Sequence, residues 1–195
     1  MVRLYWPANL RPAFDALFDI DEAMADVVSR SSEPTLAAIK LAWWRERLEE
    51  LDQGKVPAEP RLQAAANELL PRGVRGAELA QLEADWAVLL QEGPDPDAIF
   101  GRGRTLFALA SFLLGPDPPE FLELAGQLHA AGYLSRRGLA PENLFVITQI
   151  PRVPKTFRPL TALAALARRD LRRPEPEGTP ARAWTLLRHR LTGRI

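Results

Sequence analysis

A chain of 195 residues with 47% hydrophobic side chains is long enough to bury one sizeable core, and the absence of cysteine excludes disulfides, thiolate metal sites and cysteine nucleophiles. Twenty-five basic residues balance twenty-five acidic ones, so bulk charge gives no case for a nucleic-acid partner. The opening residues 1–7 carry no apolar segment after Arg3, and the longest apolar run, 106–114, is interrupted by Ser111 and is shorter than the ~20 residues a bilayer requires. A cytoplasmic protein is expected, at most peripheral to a membrane.

Helical periodicity runs through the whole chain, and no stretch sustains the alternation of a half-buried strand. A first helix is predicted over 11–30 with Pro12 in its first turn, followed by a break and re-capping at Ser31 and Ser32. A second runs from Glu33 or Pro34 to residue 53 and stops at Gly54, with Leu41, Trp44, Leu48 and Leu51 on its buried stripe. Further helices are predicted over 60–70, closed by Pro71-Arg72-Gly73, and over 76–91. Asp95 or Asp97 caps one that ends at Gly115-Pro116, and Pro118-Pro119 opens one that reaches Arg137 and Gly138. Residues 139–157 read as a long connection with about one turn of helix. Helices over 159–171 and 180–191 flank a stiff, proline-rich linker at 172–180. The expected architecture is all-α: one helical bundle of seven to nine helices spanning 1–195.

The neutral total hides a split. From Arg136 onward there are thirteen basic residues against four acidic ones, a surplus of nine that the first 135 residues offset. The first expectation is that the two parts pair internally; a basic face for anionic lipid or a partner is the alternative.

The order Leu10-Arg11-Pro12-Ala13-Phe14-Asp15-Ala16-Leu17-Phe18, then Ser32-Glu33-Pro34, then Ile39 to Arg45 with the pair Trp43-Trp44, resembles the two opening helices of the squalene/phytoene synthase family. Residues 105–115 and Ala125-Gly126 resemble a later helix pair, and beyond Gly138 the match is thin. The resemblance implies an isoprenoid-synthase type of bundle. It also implies two DxxxD motifs that hold Mg²⁺ for head-to-head condensation of prenyl diphosphates, since carboxylates four apart share a helix face and suit a hard cation. The first motif falls on Ala25 and Ser29, neither of them a carboxylate, with only Asp26 left beside it. The second has no counterpart, because Glu142 is the only acid between Glu123 and Asp170. Phe18 stands where the family commonly has a tyrosine.

The acids that remain on the first helix are of two kinds. Asp15, Asp19, Glu22 and Asp26 form a stripe centred about 90–120° from Phe14, Phe18 and Ala25, and read as a solvated face rather than a metal site. Asp21 shares the apolar face. A carboxylate there must be paired or protonated, and Arg45 is the expected partner. Phe18, Asp21, Ala25 and Arg45 are therefore the candidate cavity residues.

Other chemistry finds little support. Two histidines, His129 and His189, cannot make a three-histidine zinc site. Gly101-Arg102-Gly103 lies inside a helical pattern rather than between strand and helix, so it does not read as a phosphate loop. Trp43 and Trp44 read as core. No catalytic residue, metal site or cofactor is expected, with Mg²⁺ required only if the chain is catalytic. The leading expectation is a non-catalytic member of the fold acting in binding or assembly, most similar to the branch with the mitochondrial respiratory complex I assembly factors. The alternatives are a prenyltransferase acting on isoprenoid diphosphates and a lipid- or isoprenoid-binding protein. The partner would accordingly be a protein or an apolar lipid ligand, with contact to anionic membrane through the basic C-terminal part.

Overall fold

The computed structural model describes residues 2–115, 118–140 and 150–195. Among them every regular element is helical: a 3-10 turn at Val2–Tyr5, then α1 (Arg11–Arg30), α2 (Pro34–Leu51), α3 (Pro60–Glu68), α4 (Gly76–Leu79), α5 (Gln81–Ala87), α6 (Pro96–Ile99), α7 (Gly101–Phe112), α8 (Phe121–Arg137), α9 (Arg158–Arg172) and α10 (Pro180–Thr192). The fold is all-α, with ten α-helical segments among the described residues rather than seven to nine. The difference comes from the two segments predicted as 76–91 and 95–115. The first breaks at Ala80 and tightens into a 3-10 turn at Val88–Leu90, and the second breaks at Phe100.

Prolines and local caps account for the helix starts. Pro12, Pro34, Pro60 and Pro180 occupy first-turn positions, where a missing N–H costs nothing. The Glu59 carboxylate accepts from the Leu62 amide at 2.8 Å, and Asp95, not Asp97, caps α6. Ser31 bonds the Glu33 carbonyl at 2.9 Å, while Glu33 itself occupies the cap position of α2. Gly54, Gly73 and Gly138 end their helices at positive φ. Of the connection expected over 139–157, residues 141–149, with Glu142, lie outside the described residues; its end carries a 3-10 turn at Lys155–Phe157.

The core is continuous from the N-terminal segment to the end of α9. Helix α8 packs between α7 and α9, α9 carries α10 on its far side, and α1 lies against α2, α3, α5 and α7. The predicted α2 stripe of Leu41, Trp44, Leu48 and Leu51 is buried, as are Phe14, Leu17, Ile20 and Met24 of α1. Trp6 stacks on Phe14 and Phe18 at 4.9 and 5.4 Å between ring centroids and closes the core over the start of α1. Trp44 belongs to this core, but Trp43 is 42% exposed, which corrects its assignment to the interior. No helix among the described residues is long and apolar enough to cross a membrane.

Candidate functional site

Asp21 faces inward, as its angle on α1 requires, and is 2% exposed. Its partner is Arg102 of α7, not Arg45. Arg102 Nε donates to Asp21 Oδ1 at 2.8 Å, its Nη2 donates to Oδ2, and the Trp86 indole N–H donates to Oδ1 at 3.0 Å. The two charges form a fork-to-fork pair with the arginine 1% exposed. Trp86 and Tyr133 lie against the guanidinium from two adjacent sides, their ring centroids 4.6 and 4.1 Å from its carbon and their planes 70° apart, so the cation is held by ring faces as well as by the carboxylate. Arg45 instead lies on the outside of α2, half exposed, within 4 Å of Glu49 and Glu83.

The flanking glycines explain how an arginine enters this core. A Cβ on Gly103 would sit 2.1 Å from the Gly126 carbonyl oxygen, one on Gly126 would sit 2.2 Å from that of Gly103, and one on Gly101 would sit 2.3 Å from the Asp85 carboxylate. Bare backbone at these three points lets α7 close on α5 and α8, and the closure directs Arg102 to Asp21. The Gly101-Arg102-Gly103 motif therefore serves helix packing. A sequence signal for it existed, because Arg102 is in phase with the buried Leu106 and Leu109.

Around this pair the polar groups are linked. The Tyr133 hydroxyl donates to Glu22, and Arg137 donates to Glu22, to Asp26 at 3.0 Å and to Ser29 Oγ at 3.3 Å. Two acids of the predicted solvated stripe are thus tied to α8. Of the others, Asp15 pairs with Arg3, and Asp19 is exposed at a cleft rim with its pKa raised by burial and then by Asp15. His129 lies on α8 among Phe18, Phe107 and Tyr133; burial, then the Arg102 charge, push its pKa down to about 3 against the opposing pull of Asp21. Burial also raises the Tyr133 hydroxyl. His189 is buried, with Nδ1 3.0 Å from the Arg194 carbonyl and Nε2 3.0 Å from Thr161 Oγ1, so it joins α10 to α9.

These residues border a cleft of about 340 Å³ between α1, α8 and α9, which Phe18, Asp21, Glu22, His129 and Tyr133 line from one side. Leu163, Leu166, Asp170 and Arg182 line it from the other. Asp170 accepts from Arg182, both nearly buried, and from Arg136 at 3.4 Å. A second cavity of about 290 Å³ shares Phe18, Leu163, Leu166 and Arg182 with it. Of the expected cavity residues, the cleft brings Phe18 and Asp21 together; Ala25 is fully buried away from its lining, and Arg45 is on another face. The motif positions Ala25 and Ser29 offer no carboxylate, and Asp26 is held by Arg137 and Arg30.

Mg²⁺ does not fit these residues. Asp21, Glu22 and Asp170 each already accept from a guanidinium, and a divalent cation beside the buried Arg102 would meet its charge at low dielectric. Among the described residues no three carboxylate or histidine side chains converge as a metal site.

The predicted internal pairing of the charge split is also corrected. Of the thirteen basic residues from Arg136 onward, only Arg137 reaches acids in the first 135 residues, among those described. Arg136, Arg169, Arg173 and Arg182 pair with Asp170, Glu175 or Glu177, within their own part. Comparison of the chain with protein-family models, with curated proteins and with solved structures finds no match.

Proposed function

We propose that the protein is a non-catalytic, squalene/phytoene synthase-like bundle of the isoprenoid-synthase type that acts by binding or assembly. The observation that carries this reading is the occupation by arginines of every cleft carboxylate except Asp19 at the rim. Asp21 with Arg102, Glu22 with Arg137, and Asp170 with Arg182 and Arg136 are neutralised pairs, two of them buried. Ionisation of a prenyl diphosphate needs free carboxylates to hold the metal that takes the leaving group. Paired ones instead brace helices and leave a shaped, largely preformed cleft. A second reading, an apolar lipid or isoprenoid ligand held without chemistry, is favoured by the two adjoining cavities, which share Phe18, Leu163 and Leu166.

The test is Mg²⁺-dependent release of diphosphate from farnesyl and geranylgeranyl diphosphate by the purified protein, with its helicity checked by circular dichroism. The expected result is release at the rate of the protein-free control. Release above it that disappears in Asp21→Asn, with that variant still folded, would sink the reading and make Asp21 a metal ligand.

A further inference from the structure

Helix α10 buries Arg182, Leu186 and His189 against α9 and turns the opposite side outward. That outer side carries Trp184, Leu187 and Leu191, exposed by 65%, 42% and 68%, at the i, i+3, i+7 spacing of one helical stripe. Single exposed apolar residues are ordinary on a protein surface; three aligned on one ridge, including a tryptophan, are a patch.

Basic grooves border the ridge on both sides. One, about 300 Å³, is lined by Arg168, Arg169, Arg172, Arg173 and Arg188 together with Thr185. The other, about 360 Å³, is lined by Lys155, Arg158 and Arg190 beside Leu191. Arg158 bonds carbonyls of Val153 and Arg190, and Arg169 and Arg173 share Glu175. Arg168, Arg172, Arg188, Arg190 and Lys155 have no salt bridge among the described residues. The charge surplus of the C-terminal part therefore collects here. Burial and the neighbouring charges of Arg172 and Arg188 lower the Arg168 pKa, as expected for cations crowded without counter-ions. Cations in the last turns of α9 and α10 also complement the helix dipoles, but that leaves the tryptophan and leucines between them without a reason.

We propose that this face of α10 and α9 docks on an anionic lipid bilayer, with α10 lying in the interface plane. Trp184, Leu187 and Leu191 enter the headgroup region, and the flanking arginines pair with lipid phosphates. At thirteen residues α10 is too short to span a membrane but suits an interfacial position, and its tryptophan is the side chain that most favours that depth. A nucleic acid would find the arginines but have no use for an aliphatic ridge between them, and a second copy of the chain would bring like charges together. The proposal is independent of what the cleft binds.

The experiment is co-sedimentation of the full chain with phosphatidylcholine vesicles and with vesicles in which a third of the lipid is phosphatidylglycerol. Binding is expected only to the anionic vesicles, with a blue shift of tryptophan emission, and is expected to weaken at about 0.5 M NaCl. One arginine contributes about fivefold to partitioning, so Arg168→Gln/Arg172→Gln/Arg188→Gln should lower it about a hundredfold. Trp184→Ser should lower it about tenfold, while Trp184→Phe should keep the binding and lose the blue shift. Arg172, Trp184 and Arg188 are exposed, and Arg168 is half-buried with one bond to the Ile195 main-chain oxygen, so the fold should survive, as circular dichroism would verify. Binding to neither kind of vesicle, equal binding to both, or binding indifferent to these substitutions would overturn the proposal. So would tight binding of an oligonucleotide without vesicle binding, or a dimer that Trp184→Glu dissolves.

Discussion

Replacing Asp21 by asparagine tests the most consequential contact in the molecule. The side chain keeps its size, but the charge that balances Arg102 disappears, and an amide N–H₂ replaces one acceptor oxygen, so that it faces either Arg102 Nη2 or the two donors Arg102 Nε and Trp86 Nε1. With Arg102 1% exposed, its guanidinium cannot recover hydration without opening α7 away from α1 and α8. Breaking a buried ion pair from one side costs about 3–5 kcal/mol, and for a domain of this length that lowers Tm by roughly 6–20 °C. Urea unfolding followed by circular dichroism reads the loss as a fall in midpoint at constant slope. The partner change, Arg102→Met, should cost a similar amount. The combined Asp21→Leu/Arg102→Met variant should cost much less than the Asp21→Leu and Arg102→Met losses added, because it removes both charges and fills the space with apolar side chains. If Asp21→Asn lost under about 1 kcal/mol, or if the two changes added without coupling, the buried pair would not be the brace described above.

Gly103→Ala places a methyl group against the Gly126 carbonyl, so α7 and α8 must separate; a loss of about 1–3 kcal/mol is expected by urea titration, and an unchanged midpoint would deny the close crossing. His129 gives the protein a pH dependence of definite sign. Its pKa is about 3 when folded and near 6.5 when unfolded, so between these values the unfolded chain holds the extra proton. The stability from neutral His129 is complete above about pH 6.5 and is lost as pH falls toward 3. His129→Leu should flatten stability against pH between 7 and 4, leaving the smaller contribution of the same sign from His189, and an unchanged slope would refute the assignment.

Local chemistry was enough to place most helices and to turn Asp21 inward. Pro12, Pro34, Pro60 and Pro180 start helices and Gly54, Gly73 and Gly138 end them, because fixed φ, a missing N–H or an available left-handed conformation act within a turn of the residue itself. The 100° step of α1 likewise puts Asp21 with Phe14 and Met24 whatever the rest of the chain does. Which cation meets it was decided by tertiary structure alone. Arg45 is closer along the chain, but α2 turns that residue to its outer side, while the glycine contact of α7 with α8 brings in Arg102 from eighty-one residues away. The same holds for the break at Ala80, where no residue disfavours helix, whereas the break at Phe100 has a local contribution from Gly101 and Gly103. The destination of the basic surplus is a third case. Periodicity shows that α10 has two faces, but only its packing on α9 decides that Leu186 goes in, that Trp184 stays out, and that two rows of arginine border it. Helix ends and facing angles are set by forces that act within a few residues, whereas partners are set by how helices cross, and crossing depends on every side chain along both surfaces.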